Sequence, residues 1–261
     1  MRRAAAVGLA AIALTDHDSL DGLPQATQAA RAAGVHVVAG CEFSVKASWG
    51  EMHLLGYFLP HAEAELERFL SVQRSRRATR MAEIVRRLNG TGVTVTLEEV
   101  GKLARGGAMG RPHAARALVR RGMVRDVGEA FDRYLGWKRP AFVPKDLPAA
   151  ADVIALIRQC GGVSSAAHLK DRAVRANLEQ LRDIGLDAVE VRHPSHDEPT
   201  SARIARLAEE FDLLPSGGSD WHGDAGAEEP HRALLGSVEV PIDWLERIER
   251  LHAERRPAEV S

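Results

Sequence analysis

Thr15-Asp16-His17-Asp18 follows the apolar run Ala11–Leu14, and Gly218-Ser219-Asp220-Trp221-His222 follows another over 213–217. Four further apolar runs meet a His or Glu in the same way. Glu42 closes Gly40-Cys41-Glu42, His53 opens His53-Leu54-Leu55-Gly56-Tyr57, His168 closes Ala166-Ala167-His168, and His193 closes Glu190-Val191-Arg192-His193. Between most of them lie stretches with helical periodicity. Strands alternating with helices predict a parallel sheet or barrel. In such folds the C-terminal strand ends converge on one face, where sites assemble. Residues about 200 positions apart thereby become neighbours. A cluster of imidazoles and carboxylates without ligating cysteines suits Mn, Fe or Zn at an open centre rather than a structural zinc site.

Working outward, the composition of the 261 residues is that of a globular chain, with 45% hydrophobic and 27% charged residues. No apolar run approaches the roughly 18–20 residues needed to span a bilayer. Met1-Arg2-Arg3 and the alanines behind it imitate a leader, but the run flows straight into Thr15-Asp16-His17-Asp18 with no cleavage site, so a leader is rejected. Cys41 and Cys160 form neither a disulfide framework nor a CxxC zinc pattern, and a reducing cytoplasm is expected. Charge is unevenly spread. Residues 62–145 carry 18 Lys+Arg against 9 Asp+Glu, a surplus of +9, whereas the rest carry 17 against 27, or −10. Such asymmetry predicts an acidic metal-bearing part and a basic part facing an anion; solvated faces of Arg-rich helices are the plainer alternative.

The spacing of apolar residues places a helix tail over Arg2–Ala6 and a strand over Ala11–Leu14. A helix over 24–33 follows, with Pro24 in its first turn and Gly34 just past its end. Strands are expected over 35–39 and 53–58. The pattern then turns helical: a long helix over 62–89, a capping box with Thr96 as N-cap and Glu99 three residues on, and helices over 112–121 and 127–135. Alternation resumes with helices over 149–159, 173–184, 199–211 and 243–255 and strands over 162–167, 187–191 and 213–217. Residues 1–61 and 146–261 thus read as one α/β domain, and 62–145 as an all-helical basic insertion. The four tryptophans, including Trp137, are expected in the core, with Trp221 walling the site.

These motifs, with Gly40-Cys41-Glu42-Phe43-Ser44 and Ala167-His168, resemble those of the PHP (polymerase and histidinol phosphatase) superfamily. Gly110-Arg111-Pro112-His113-Ala114-Ala115-Arg116, Tyr134-Leu135 and Phe142-Val143-Pro144 are similar to the subfamily acting on nucleoside 3′,5′-bisphosphates and, as 5′→3′ exonucleases, on short RNA. The resemblance implies a distorted (β/α)7 barrel holding up to three divalent ions, Mn2+ foremost, with Fe2+ or Zn2+ as alternatives. It implies that His17 ligates one ion and Glu42 bridges two, that His53 and His168 hold a third, and that Asp220 and His222 complete the first two. Arg111 and His113 would contact substrate phosphate, Arg116 would add charge, and His193 would touch substrate. Asp16 and Asp18 flank His17 and could orient it or shuttle protons, although Asp18 also reads as an N-cap of the following turn. Asp16, His17 and Asp220 form the expected catalytic set.

The implied partner is a phosphorylated nucleotide or the 5′ end of a short oligonucleotide, with no membrane and no obligate protein partner. One departure stands out. Nothing before Thr15 is a His or an acid, so the family's first strand with its His-x-His motif is missing, and His168 precedes Leu169 where the family usually has Pro. Loss of activity and a misplaced start are the two explanations, and the six remaining ligands favour the second. The alternatives to a nucleotide phosphoesterase are a histidinol-phosphate-type phosphatase and an inactive module binding nucleotides or RNA ends.

Overall fold

The computed structural model describes residues 1–104, 106–223 and 233–255. His231, read as structural or surface, and the tail from Arg256 to Ser261, read as frayed, lie outside them. Along the chain run α1 (Arg2–Ala6), β1 (Ala11–Leu14), α2 (Leu23–Ala33), β2 (His36–Ala47), β3 (Gly50–Tyr57), α3 (Ala64–Asn89), α4 (Leu97–Ala104), α5 (Arg111–Arg120) and α6 (Val127–Ala130). A π-helical segment over Phe131–Leu135 prolongs α6. Then come α7 (Ala150–Gln159), β4 (Val163–Ala167), α8 (Arg175–Asp183), β5 (Ala188–Arg192), α9 (Glu198–Glu210), β6 (Leu214–Gly217) and α10 (Ile242–Arg255). The chain forms two compact units, one comprising Met1–Leu66, Leu147–His222 and the segment from Ala233, the other Glu67–Asp146. Among the described residues no helix is long and apolar enough to cross a membrane.

The first unit is α/β, with one six-stranded sheet in the order β1-β2-β3-β4-β5-β6. β1–β2, β4–β5 and β5–β6 are parallel, but β3 is antiparallel to both neighbours. The all-parallel arrangement expected from alternation is corrected here. β2 does not stop near residue 39 but runs to Ala47, with Gly40–Val45 buried throughout. Two turn residues, Ser48 and Trp49, then lead directly into β3. Parallel strands need a long crossover, so a two-residue connection forces a hairpin. Residues in the first half of β3 consequently lie beside the C-terminal halves of β2 and β4, and His53 pairs across from Ser44 and Ala167. The sheet is curled: His17, just past β1 at one edge, and His222, past β6 at the other, have ring centres 6.2 Å apart. Strand twist accumulates into that curvature.

Every residue of β4 is buried, which fits a strand covered on both faces. Its hydroxyls are satisfied inside: Ser164 Oγ donates to Asp187 Oδ2 at 2.8 Å and Ser165 Oγ lies 2.7 Å from Ser216 Oγ. Asp187 also accepts from Ser164 N–H and forms a two-pronged pair with Arg255, which ties α10 to the sheet. Burial alone would raise the Asp187 carboxyl, but the Arg255 guanidinium and the Ser164 donors outweigh it and hold the group below its usual range. His252 stacks on Phe58 at 4.6 Å and donates to Gly161 O, which completes the attachment.

The second unit packs α3, α4, α5, α6 and the π segment around Ile84, Leu88, Val95, Val100, Leu118 and Leu135. The capping box forms as read: Thr96 N–H donates to Glu99 Oε2 at 2.8 Å and Glu99 N–H to Thr96 Oγ1 at 3.2 Å. Part of the basic charge is paired within the unit, where Glu83 meets Arg86 and Arg87 and Glu129 meets Arg125 and Arg133, although the net surplus is unchanged by pairs already counted in it. Trp137 is not core as expected; it is 70% exposed. It follows Gly136 in a turn closed by Arg139 N–H on Gly136 O, and nothing in residue type alone distinguishes an indole on a turn from one in a core.

Candidate metal centre

The pairing of β1 with β2 continues beyond Leu14. Glu42 N–H donates to Asp16 O and Asp18 N–H to Glu42 O, each at 3.1 Å, which sets His17 opposite Glu42. Gly40 permits this approach: a Cβ there would come within 2.8 Å of Thr15 Cγ2 and 2.9 Å of Gly56 O. In the turn after Asp18, Ser19 Oγ accepts Asp21 N–H at 3.1 Å. Asp18 is itself buried, with a left-handed φ of 49°.

Glu42 is the hub. Its Oε1 lies 2.6 Å from His53 Nδ1 and 3.2 Å from His168 Nε2, and its Oε2 lies 3.5 Å from His17 Nδ1. His53 Nδ1 and His168 Nε2 are 3.3 Å apart. Burial would raise the Glu42 carboxyl, but His17, His168 and His53 together hold it well below the usual carboxylate range. A second group forms past β6. Asp220 Oδ2 is 3.6 Å from His193 Nε2, and Asp220 Oδ1 is 3.5 Å from His222 Nδ1. Burial raises this carboxyl too, and His193 and His222 outweigh it, so the net shift is downward. Asp16 moves the other way, raised mainly by burial and opposed by His222.

Asp220 and His222 do not continue the extended backbone of β6. β6 ends at Gly217, Asp220 sits at φ 50°, and His222 Nδ1 folds back 2.7 Å from Asp220 O. His168, past β4, is likewise left-handed at φ 31°. Non-glycine residues in that region cost on the order of 1–3 kcal/mol and gather at functional sites. The tautomers follow from the hydrogen-bond network. Asp220 O can only accept, so His222 Nδ1 carries a proton and its Nε2 offers a lone pair. His193 is the reverse. Its Nδ1 accepts Ser195 N–H at 3.0 Å, which leaves the proton on Nε2, facing Asp220. His196 is fully occupied, donating to Val191 O and accepting from Lys170 N–H.

These residues fit divalent cations. Two donors bound to one ion at about 2.0–2.1 Å stand about 3.0–3.4 Å apart, close to the spacings of Glu42, His53 and His168. Ligand atoms of His17, Glu42 and His53 all lie within 4.8 Å of one another. His193 Nε2 is buried without a hydrogen-bond partner among the described residues, facing a carboxylate slightly too distant to accept from it.

Glu190 had no role in the sequence reading. Its Oε2 accepts His168 N–H at 2.8 Å, and it is buried beneath the cluster. Burial, with the charges of Glu42 and Asp220, pushes its carboxyl up to about 8 against the opposing His168 N–H. Glu51 Oε1 lies 3.7 Å from His53 Nε2. Only the general habit of ligating histidines to carry an outer partner could have pointed to either.

His17, Glu42, His53, His168, Asp220 and His222 are thus brought together, with Asp16 and His193 beside them. Arg111, His113 and Arg116 belong to α5 in the second unit. Arg111 donates to Leu135 O at 3.2 Å, with its guanidinium over the rings of Phe131 and Phe142. His113 Nδ1 accepts Gly110 N–H at 3.0 Å.

The model of the PHP domain matches residues 1–100 of this chain. A 5′-3′ exoribonuclease of Haemophilus influenzae is 31% identical over 231 residues, covering 87% of this chain and 84% of that protein. A 3′,5′-nucleoside bisphosphate phosphatase of Chromobacterium violaceum is 30% identical over 267 residues, covering 98% and 92%. A crystal structure from Bifidobacterium adolescentis, provisionally described as a metal-dependent phosphoesterase, superposes with a TM-score of 0.86 at 28% identity, covering 95% of this chain and 88% of that one.

Proposed function

Because this chain belongs to the PHP family, we propose that it is a metal-dependent phosphoesterase acting on nucleoside 3′,5′-bisphosphates or the 5′ ends of short oligonucleotides. The observation that carries the reading is the convergence of three imidazoles on the buried carboxylate of Glu42, beside the Asp220, His193 and His222 group. His17, Glu42, His53, His168, Asp220 and His222 would hold two or three divalent ions, Mn2+ being the best match to this mixture of nitrogen and oxygen donors. Bound there, such ions supply neutralisation of phosphoryl oxygens and a water acidic enough to attack phosphorus at neutral pH.

The chain's own groups do the rest. Asp16, exposed at the rim beside His222 and with its carboxyl raised, would accept a proton. His193 turns an N–H toward Asp220 and the cluster, where it can donate to a phosphoryl oxygen. In the second unit Arg111, with His113 and Arg116, is proposed to gather a further substrate phosphate, since a guanidinium fork suits that geometry. Residues 1–61 and 146–261 would then be the barrel domain and 62–145 its helical insertion, working in the cytoplasm.

Replacing Glu42 with Gln tests the reading. It keeps shape but removes the charge that three imidazoles surround. Calorimetric titration of Mn2+ into the metal-stripped chain is expected to show affinity weakened by more than about 100-fold, beyond what loss of an outer partner causes. Release of phosphate from a nucleoside 3′,5′-bisphosphate should fall with it. Retention of both would rule out Glu42 as a ligand and the phosphoesterase site with it.

A further inference from the structure

The π-helical segment ends at Leu135, and the chain turns sharply through Gly136-Trp137-Lys138-Arg139. Gly136 N–H donates to Phe131 O at 2.8 Å, and a Cβ on Gly136 would sit 2.7 Å from that same oxygen, so the turn needs glycine. Lys138 takes a left-handed φ of 60°. The turn is built, not loose: Arg139 N–H closes on Gly136 O, Phe142 N–H on Arg139 O and Ala141 N–H on Tyr134 O. At its outer edge stands Trp137, 70% exposed, whereas Trp49, Trp221 and Trp244 are all half-buried. Tryptophan is highly buried on average and enriched where proteins meet ligands and partners, so an indole this open on an ordered turn stands out. One face of the arrangement is fixed by Phe142, whose ring meets Trp137 edge-on at 5.0 Å. The exposed cations Lys138 and Arg139 flank it, and neither forms a side-chain ion pair among the described residues.

We infer that Trp137 is a stacking platform for a nucleobase of a single-stranded oligonucleotide. The claim deepens the proposed function, resting on its reading that the substrate is a phosphorylated nucleotide chain. An aromatic face flanked by cations is how proteins hold unpaired bases: stacking is tolerant of sequence, and the cations track the phosphates. Charge complementarity favours a polyanion over an apolar partner, since residues 62–145 carry a surplus of +9. The placement adds a further reason. Arg111 also packs on Phe142, 5.7 Å from its ring centre, and Trp137 lies 5.0 Å from that centre, so the Arg111 guanidinium and the Trp137 ring are less than about 11 Å apart. A nucleotide with its base on Trp137 can therefore present a neighbouring phosphate toward Arg111. The platform would favour oligonucleotides over mononucleotides.

Binding to the metal-stripped full chain tests this without relying on catalysis. The probes are a 5′-phosphorylated single-stranded RNA pentamer carrying a 3′ fluorophore and an abasic pentamer of equal charge, followed by anisotropy. Trp137→Ala is expected to weaken the RNA about tenfold, near 1.4 kcal/mol, within the range for loss of one stacked base. Trp137→Phe should restore most of that, and the abasic strand should bind the parent and Trp137→Ala alike. Circular dichroism on both variants checks that the fold is intact. Equal RNA binding by parent and Trp137→Ala, an equal loss on the abasic strand, or no RNA binding by the parent overturns the platform. So does a variant whose only change is in self-association, which would make the indole a contact between copies. Hydrolysis of a nucleoside bisphosphate by the Mn2+-loaded parent is scored separately and bears on the proposed function alone.

Discussion

Replacing Glu190 by leucine and by glutamine separates a hydrogen bond that positions a ligand from a residue that merely fills space. Glu190 Oε2 accepts His168 N–H at 2.8 Å, and His168 holds a φ of 31° that an L-residue seldom adopts. Leucine leaves that N–H without its acceptor, a loss of about 1–3 kcal/mol. Once released, His168 can relax toward an ordinary backbone and recover strain on the order of 1–3 kcal/mol. The two nearly offset one another in the metal-free protein, so thermal unfolding should shift by only a few degrees, about 2–4 °C per kcal/mol for a chain this large. Metal binding has no such compensation. The ion must now restore the geometry that the hydrogen bond maintained, and affinity should fall about 10- to 100-fold, as when an outer partner of a metal ligand is lost. Glutamine keeps a carbonyl acceptor in place and should stay within about threefold of the parent, because the hydrogen bond persists. Calorimetric titration of Mn2+ into stripped protein reads the affinity, with scanning calorimetry for stability. Leucine binding Mn2+ as tightly as the parent would refute the argument. Equal losses in both variants would show that the carboxyl group itself, not its acceptor oxygen, matters.

Two further predictions concern the scaffold. Asp187→Asn breaks a buried pair with Arg255 and should destabilise by about 3 kcal/mol at neutral pH, the lower end for such pairs, since Arg158 nearby is half exposed. Because the folded carboxyl lies below its unfolded value near 3.9, this stability is present above that pH and lost as pH falls through the folded value. The difference between variant and parent in urea unfolding should therefore be full at pH 7 and shrink in acid below about pH 4; a constant difference would contradict the linkage. Gly40→Ala would press a methyl group against Gly56 O at 2.9 Å and Leu14 O at 3.2 Å, backbone atoms that cannot rotate away. Its cost should be about 2 kcal/mol or more, from strand displacement around His17, and an unchanged melting temperature would show that β1 can shift freely.

What the sequence determined on its own was whatever short-range physics encodes. The capping box at Thr96 and Glu99, the left-handed Gly34 that ends α2, and the apolar runs leading to His17, Glu42, His168 and Asp220 all follow from periodicity and backbone chemistry within a few residues. The recurrence of His, Asp and Glu at six apolar termini marked a metal site, and the family resemblance picked out the six ligand candidates among them. Only the tertiary structure decided the rest. The direction of β3 depends on how far β2 extends before it turns, and the meeting of His17 with His222 depends on a curl summed over six strands. Glu190 became a partner of His168 because β5 lies beside β4, and Trp137 was left in the open because its turn points away from the core. Burial, register and tautomer belong to pairings between distant segments, and no local pattern carries them.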